Sequence, residues 1–412
     1  MTDNSIFTDK TVFYHSFGCK LNFAETSTVA AEFAGAGIRR VAPGEVPDIV
    51  VINTCSVTEV ADKKCRQAIH SLHRRYPDAA IVVTGCYAQL KTDEVASLPG
   101  VAVVAGQDKK DRLLDFLGTW METHQQQVDV PDFKDIETFI PSCARGRSRS
   151  GTIASMVEQA RKAAAEGGRE IVITGVNIGD FGRRTGETFA DLVRALDEVE
   201  GIERYRISSI EPNLLTDEII DFCAASKRFM PHFHVPLQCG SDEVLRLMRR
   251  RYDTALFRHK MEKIRQAMPD AFIGVDLIVG ARGESDELFR ESYEFCKSLD
   301  ISRLHVFVYS ERPGTRALEL DGAVSPQAKR ARSNRMLELS EEKLREFSGR
   351  FIGTVRPVLL EHTRPGHPMS GFTDNYLKVE VDAPARLDNT VVNVRLDRLS
   401  DDGSFIHATL LP

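Results

Sequence analysis

The chain has 412 residues, 42% hydrophobic and 28% charged, which is enough for two or three domains with their own cores. A formal net charge of −6 excludes a uniformly basic nucleic-acid-binding surface and leaves any such contact to local patches. No apolar run approaches a membrane span, the start MTDNSIFTDK lacks a signal-peptide pattern, and eight cysteines without close-spaced pairs make no disulfide framework, so a reducing cytoplasm is the expected compartment.

In chain order, Thr11–His15, Ile49–Asn53 and Ala80–Thr84 are apolar, β-branched runs that read as buried parallel strands. Leu21–Gly35, Val60–Tyr76 and Asp111–Gly118 read as helices, with Pro77 and Asp78 ending the second. Residues 1–118 are therefore expected to form a doubly wound parallel α/β domain. Residues 119–143 are polar and poorly periodic and read as a linker. Within 144–350, Ile171–Thr174, Tyr205–Ser208, His232–Pro236, Phe272–Leu277 and Leu304–Val308 are strands alternating with helices, which predicts a barrel-like parallel sheet. Residues 327–349 read as one connecting helix stopped at Gly349. In 351–412, Val355–Leu360, Leu377–Val381, Val391–Leu396 and Phe405–Leu411 are short strands between turns, expected to close a small antiparallel β-barrel.

Three cysteines share one setting. Cys19, Cys55 and Cys86 each follow an apolar run, where a strand ends and a loop begins. In an α/β sheet such ends gather on one edge. Three thiolates meeting there can hold an iron–sulfur cluster with one iron left open, and positions near helix N-termini favour the thiolate. A closed structural zinc site is disfavoured because it wants four ligands. Cys65, Cys223 and Cys296 fall within helical patterns and read as core, while Cys239 is balanced between packing and lining a barrel mouth.

The segments GCKLN, NTCSVT, GCYAQ, ARGRSRS (144–150), ITGVNIGDFG (173–182), RISSIEP (206–212), HVPLQCGSDEVLRLMRRRY (234–252), VDLIVG (275–280) and VYSERPGTRA (308–317) resemble the radical S-adenosylmethionine methylthiotransferases over nearly the whole chain. The branch most similar acts on threonylcarbamoyl-adenosine in transfer RNA. The resemblance implies a central partial (βα)6 barrel, an RNA-binding terminal barrel and two 4Fe–4S clusters. One cluster is auxiliary and is held by Cys19, Cys55 and Cys86. It also implies S-adenosylmethionine as cofactor, the tRNA anticodon loop as partner, and an electron donor such as flavodoxin or ferredoxin. The implied reaction adds a methylthio group to adenine C2. Within the family the same chemistry also serves isopentenyl-adenosine or a ribosomal-protein aspartate.

Family members carry a CxxxCxxC loop for the radical-forming cluster shortly before ARGRSRS. Here Cys143 runs straight into Ala144, and no CxxxCxxC occurs in the sequence. The resemblance resumes on both sides without drift, so the break reads as a segment left unobserved. A true deletion, and with it a catalytically inactive RNA-binding protein, is the alternative.

By the same resemblance, Thr174, Gly175, Asn177, Ser209, Glu211, Gln238 and Asp276, all near strand ends, are the expected contacts of S-adenosylmethionine. The run VDLIVGARGES departs from the family pattern at Ala281 and Arg282. For RNA, Arg147, Arg149, Arg356, Arg364 and Lys378 are the candidates, with His362 and Tyr376 near them. Arg147 and Arg149 fit a cofactor carboxylate equally well. Basic clusters at Lys63–Arg75, Arg246–Arg251 and Lys329–Arg335 add possible phosphate contacts.

Overall fold

The computed structural model describes residues 4–18, 20–56, 59–131, 151–175, 177–311, 315–363 and 366–412. Cys19, Cys143, Arg147, Arg149 and Arg364 lie outside this set. The chain forms two compact units, residues 1–151 and 152–412.

The first unit is built on six parallel strands: β1 (Thr11–Ser16), β2 (Arg39–Arg40), β3 (Ile49–Thr54), β4 (Ala80–Gly85), β5 (Val101–Ala105) and β6 (Gln127–Asp129), in the order β2-β1-β3-β4-β5-β6. β3 and β4 are buried along their whole length, as their unbroken Val/Ile character requires of a sheet covered on both faces. Ile49 and Val51 point to one core with Val29, Phe33, Leu113 and Leu117. Val50 and Ile52, one residue out of phase, point to another with Cys65, Ile69 and Leu72. The order reverses between β1 and β3, one strand's chain turning toward β2 and the other's toward β4. That crevice is the topological switch point.

The expected linker does not begin at 119. A helix runs through Leu113–Thr123, left-handed His124 ends it, and β6 adds to the sheet edge left open by β5. β6 was illegible as a strand because Gln127–Asp129 is polar and pairs only on one side.

The second unit has strands β7 (Glu170–Ile173), β8 (Arg204–Ile207), β9 (His232–Gln238), β10 (Phe272–Val279) and β11 (Arg303–Val308). β7 pairs with β8, and β9, β10 and β11 pair in sequence, all parallel. Bridges Tyr205–Phe229 and Ser209–His234 join the two groups. Along each strand alternate residues face the helices: Tyr205 and Ile207, Phe233, Val235 and Leu237, Ile273, Val275 and Leu277 form one core with Leu192, Ile220, Phe257 and Ile264. The other residues form an inner face. Among the described residues the sheet has five strands, one fewer than the expected six. Cys143 and Ala144 are consecutive in the 412-residue chain, so the break is a property of the sequence and no unobserved segment separates them.

The helix Pro326–Gly349, capped by Ser325, leads to a closed barrel of β12 (Val355–Glu361), β13 (Met369–Thr373), β14 (Lys378–Val381), β15 (Val391–Leu399) and β16 (Ile406–Leu410). It is not purely antiparallel, since β14 and β16 pair in parallel. The unexpected strand β13 contains Gly371, where a Cβ would lie 2.3 Å from the Leu359 carbonyl oxygen. Close approach of β12 requires glycine there, and glycine weakens the strand signal in the sequence.

The terminal barrel shares a core with the sheet. Phe272 of β10 and Phe347 of the connecting helix cluster with Val358, Leu377 and Val394. Arg206, fully buried on the inner face of β8, donates from Nη1 to the Asp374 carbonyl and from Nη2 to that of Thr373, both at 2.8 Å. Its Nε bonds Glu170 at 2.8 Å, and its guanidinium lies over the Tyr376 ring. Arg204 donates to the Phe372 carbonyl at 3.1 Å. His232 and Phe272 complete the stack around Tyr376. These contacts sit at or near the starts of β8, β9 and β10, so the terminal barrel closes the N-terminal end of the inner face.

Candidate metal centre and cofactor edge

Cys55 and Cys86 directly follow Thr54 and Gly85, which are partners in the β3–β4 register. The two cysteines therefore leave neighbouring strand ends, about 4.8 Å apart in backbone spacing. Both are buried. Gly85 has φ +97°, and a Cβ on it would lie 2.4 Å from the Thr54 carbonyl oxygen, so only glycine lets these ends close together. Gly18, which ends the β1 segment, also has φ +97°, and its Cβ would lie 2.8 Å from Cys55 Sγ. Asn22 ties the arrangement, donating to the carbonyls of Phe17 at 2.7 Å and Thr54 at 3.0 Å. The site thus occupies the switch point of the sheet, where open α/β folds bind ligands.

Among the described residues no three His, Cys, Asp or Glu side chains form a metal-holding group. Cys55 and Cys86 supply two sulfurs, and the expected third, Cys19, is the residue after Gly18. This donor set suits an iron–sulfur cluster. Cys65 is close by: burial pushes its thiol up to about 12, and its Sγ bonds the Cys55 carbonyl at 3.4 Å. Burial pushes Cys239 up to about 12 as well, and raises Cys223 and Cys296. These four are neutral core thiols. Among the described residues of the second unit no comparable cysteine set occurs, and the sequence has no CxxxCxxC, so ligands for the radical-forming cluster are not found among the described residues.

The expected cofactor contacts collect at the C-terminal ends of the parallel strands. Thr174 and Gly175 follow β7, Ser209 and Glu211 follow β8, and Gln238 ends β9. Asn177 Oδ1 is buried without a hydrogen-bond partner, an acceptor suited to an amino group such as that of S-adenosylmethionine. Glu211 is held by Arg250 Nη1 at 3.3 Å. Gln238 is left-handed (φ +69°), a conformation costly for a side chain and typical of functional strand ends. Asp276 lies deeper, on the inner face of β10, where it bonds His234 Nε2 at 2.7 Å. His305 of β11 stacks on His234 with centroids 5.0 Å apart. The sequence reading missed both histidines. Their signal was their phase on the strands, opposite to the Val and Leu of the core.

The RNA candidates divide. Lys378 is exposed at the start of β14. Arg356 is committed to structure, bonding Asp374 at 2.9 and 3.0 Å and Asp270 at 2.6 Å. In the basic helix, Arg332 pairs with Glu284 and Asp286, and Arg335 covers the Tyr293 ring. These groups brace the fold.

Residues 11–106 match the Uncharacterized protein family UPF0004, and residues 132–296 match the Radical SAM superfamily. The chain is 34% identical to the threonylcarbamoyladenosine tRNA methylthiotransferase MtaB of Bacillus subtilis and 33% to that of Thermotoga maritima, covering 96% of both chains in each case. It is 32% identical to the tRNA-2-methylthio-N(6)-dimethylallyladenosine synthase of Thermobifida fusca, over 84% of this chain and 76% of that one. A solved radical S-adenosylmethionine methyltransferase, TsrM of Kitasatospora setae, overlays with a TM-score of 0.49 at 14% identity, covering 73% of this chain and 75% of that one. The chain belongs to the radical S-adenosylmethionine methylthiotransferase family, in its threonylcarbamoyladenosine branch.

Proposed function

We propose that this protein serves methylthiolation of adenine C2 in N6-threonylcarbamoyladenosine next to the anticodon of tRNA, with an auxiliary 4Fe–4S cluster at Cys19, Cys55 and Cys86 and S-adenosylmethionine at the strand edge of the second unit. The observation that carries this reading is the pairing of Cys55 and Cys86 on register-matched strand ends beside the switch point, with Gly18 against the Cys55 sulfur. When bound, the cluster would supply an open iron at which sulfur can be held and methylated. The chain's own part is placement: Asn22 fixes the β1 and β3 ends, and the close backbone at Gly18 and Gly85 keeps water from the sulfurs. In the second unit Asn177 Oδ1 would accept from the cofactor's amino group, and Glu211, Ser209 and Gln238 would take its other polar groups. The partners this reading calls for are tRNA, engaged in part through Lys378, and a small electron donor such as flavodoxin or ferredoxin, in the cytoplasm. No described helix is long and apolar enough to cross a membrane.

A second reading is an RNA-binding protein with one cluster and no radical chemistry. It is favoured by the absent CxxxCxxC. One experiment separates the two. The protein is reconstituted anaerobically and given tRNA bearing threonylcarbamoyl-adenosine or isopentenyl-adenosine, with S-adenosylmethionine and reductant, and the nucleosides are read by mass spectrometry. Methylthiolation of the first tRNA alone supports the first reading, and equal turnover of both overturns its substrate choice. Iron for one cluster, no cleavage of S-adenosylmethionine and salt-sensitive tRNA binding support the second.

A further inference from the structure

The wall behind Cys86 contains a buried polar chain that neither the fold nor the ligand set demands. Gln107, in the loop after β5, donates from Nε2 to Cys86 Sγ at 3.4 Å. Its Oε1 accepts from Lys110 Nζ at 2.7 Å. Lys110 is ion-paired with Glu25 of the helix Lys20–Gly35, and Glu25 accepts from Asn53 Nδ2 at 3.3 Å. Gln107, Lys110, Glu25 and Asn53 are each at most 2% exposed.

The orientation of the Gln107 amide follows from chemistry. An ammonium group has three donors and no acceptor, so the amide oxygen must face Lys110. The amide nitrogen is then left to face the sulfur. Gln89 Oε1 fixes the loop from the other side, accepting from the Gln107 backbone N–H at 2.8 Å. A buried ion pair is a costly way to fill space, and here it sets the direction of one side-chain N–H. Hydrogen bonds to cluster sulfurs are among the features that set cluster potentials, and they favour the more electron-rich, reduced state.

We propose that Gln107, aligned by the buried Lys110–Glu25 pair, is a positioning residue that sets the electron affinity of the cluster bound through Cys86. The inference rests on the reading of Cys86 as a cluster ligand.

The test is made on full-length protein reconstituted anaerobically, with iron content and electron paramagnetic resonance of the reduced auxiliary cluster as the first measurement. If replacing Cys86 with Ala leaves that signal intact, the reading and the inference fall together. If the signal depends on Cys86, Gln107→Met is compared with the parent by redox titration. This variant keeps size and charge and removes the N–H toward Cys86 together with the Oε1 that accepts from Lys110. The reduced-to-oxidised ratio at fixed potential should fall about tenfold, a shift of about 59 mV for one electron. In heavy water, the parent should show coupling to an exchangeable deuteron that Gln107→Met lacks. Gln107→Asn, which keeps the amide but is one methylene too short, gives the second comparison and should shift the same way. A loaded cluster whose potential and deuteron coupling are unchanged in either variant overturns the inference while leaving the ligand assignment standing.

Discussion

Arg206 offers the sharpest test of how the second unit is held together. Replacing it with Leu removes the donors of the Thr373 and Asp374 carbonyls and the partner of Glu170 in a buried setting. Breaking a buried pair by deleting one member costs about 3–5 kcal/mol, and because Glu170 keeps some exposure the lower end applies, about 3 kcal/mol. The neighbouring Glu361, already held above the usual carboxylate range by burial and by Glu170, would then face an uncompensated carboxylate. A unit of roughly 260 residues unfolds with an entropy near 0.5 kcal/mol/K, so Tm should fall by about 6 °C. Differential scanning calorimetry of the full chain reads this for the second unit's transition. Adding Glu170→Leu should recover part of the loss, because Glu170 Oε2 already lacks a hydrogen-bond partner and the double variant buries no lone charge. A Tm within about 2 °C of the parent, or a double variant less stable than the single, would refute the reasoning.

Three further outcomes are expected. Cys55→Ala and Cys86→Ala should each lower the iron retained on anaerobic reconstitution while far-ultraviolet circular dichroism stays unchanged; full iron in both variants, with any other cluster accounted for, would contradict the site. Gly85→Ala should destabilise by at least about 2 kcal/mol more in denaturant titration than Gly37→Ala, because both glycines have positive φ but a Cβ meets nothing within 4 Å at Gly37 and the Thr54 backbone at Gly85. Asp402 is held down to about 2 by the Ser404 backbone N–H and the Ser400 and Ser404 hydroxyls. A depressed carboxyl stabilises above its unfolded pKa near 4 and loses that contribution as pH falls toward about 2. The Tm difference between parent and Asp402→Ala should therefore be full at pH 7 and smaller at pH 3.

Much of the first unit was legible because its strands are buried on both faces and read as unbroken Val/Ile runs. The strand-end positions of Cys55 and Cys86 were legible for the same reason, since each closes such a run. β6 and β13 were not, because a polar edge strand and a glycine-bearing barrel strand take their identity from the partner they pair with. Arg356 and Arg332 show the limit of reading charge from sequence. Arg356 reads as an RNA contact and Arg332 stands in a basic cluster, yet their guanidinium groups are taken up by carboxylates far along the chain. His234 and His305 meet only because β9, β10 and β11 align side by side, which no local pattern encodes. The Gln107–Cys86 contact likewise depends on where the β5 loop comes to rest.

The docking of the terminal barrel also fixes a length scale. It closes the end of the inner face where β9 and β10 begin, whereas the expected cofactor contacts gather where β7, β8 and β9 finish. Six residue steps of β9, from His232 to Gln238, separate the two levels, roughly 20 Å. Because the join is a shared core with a buried guanidinium fork, that interval cannot close by hinge motion. A ligand touching both the barrel and the strand edge must itself reach across this distance. A nucleic acid does so easily. A free modified nucleoside does not, and would meet only one of the two levels.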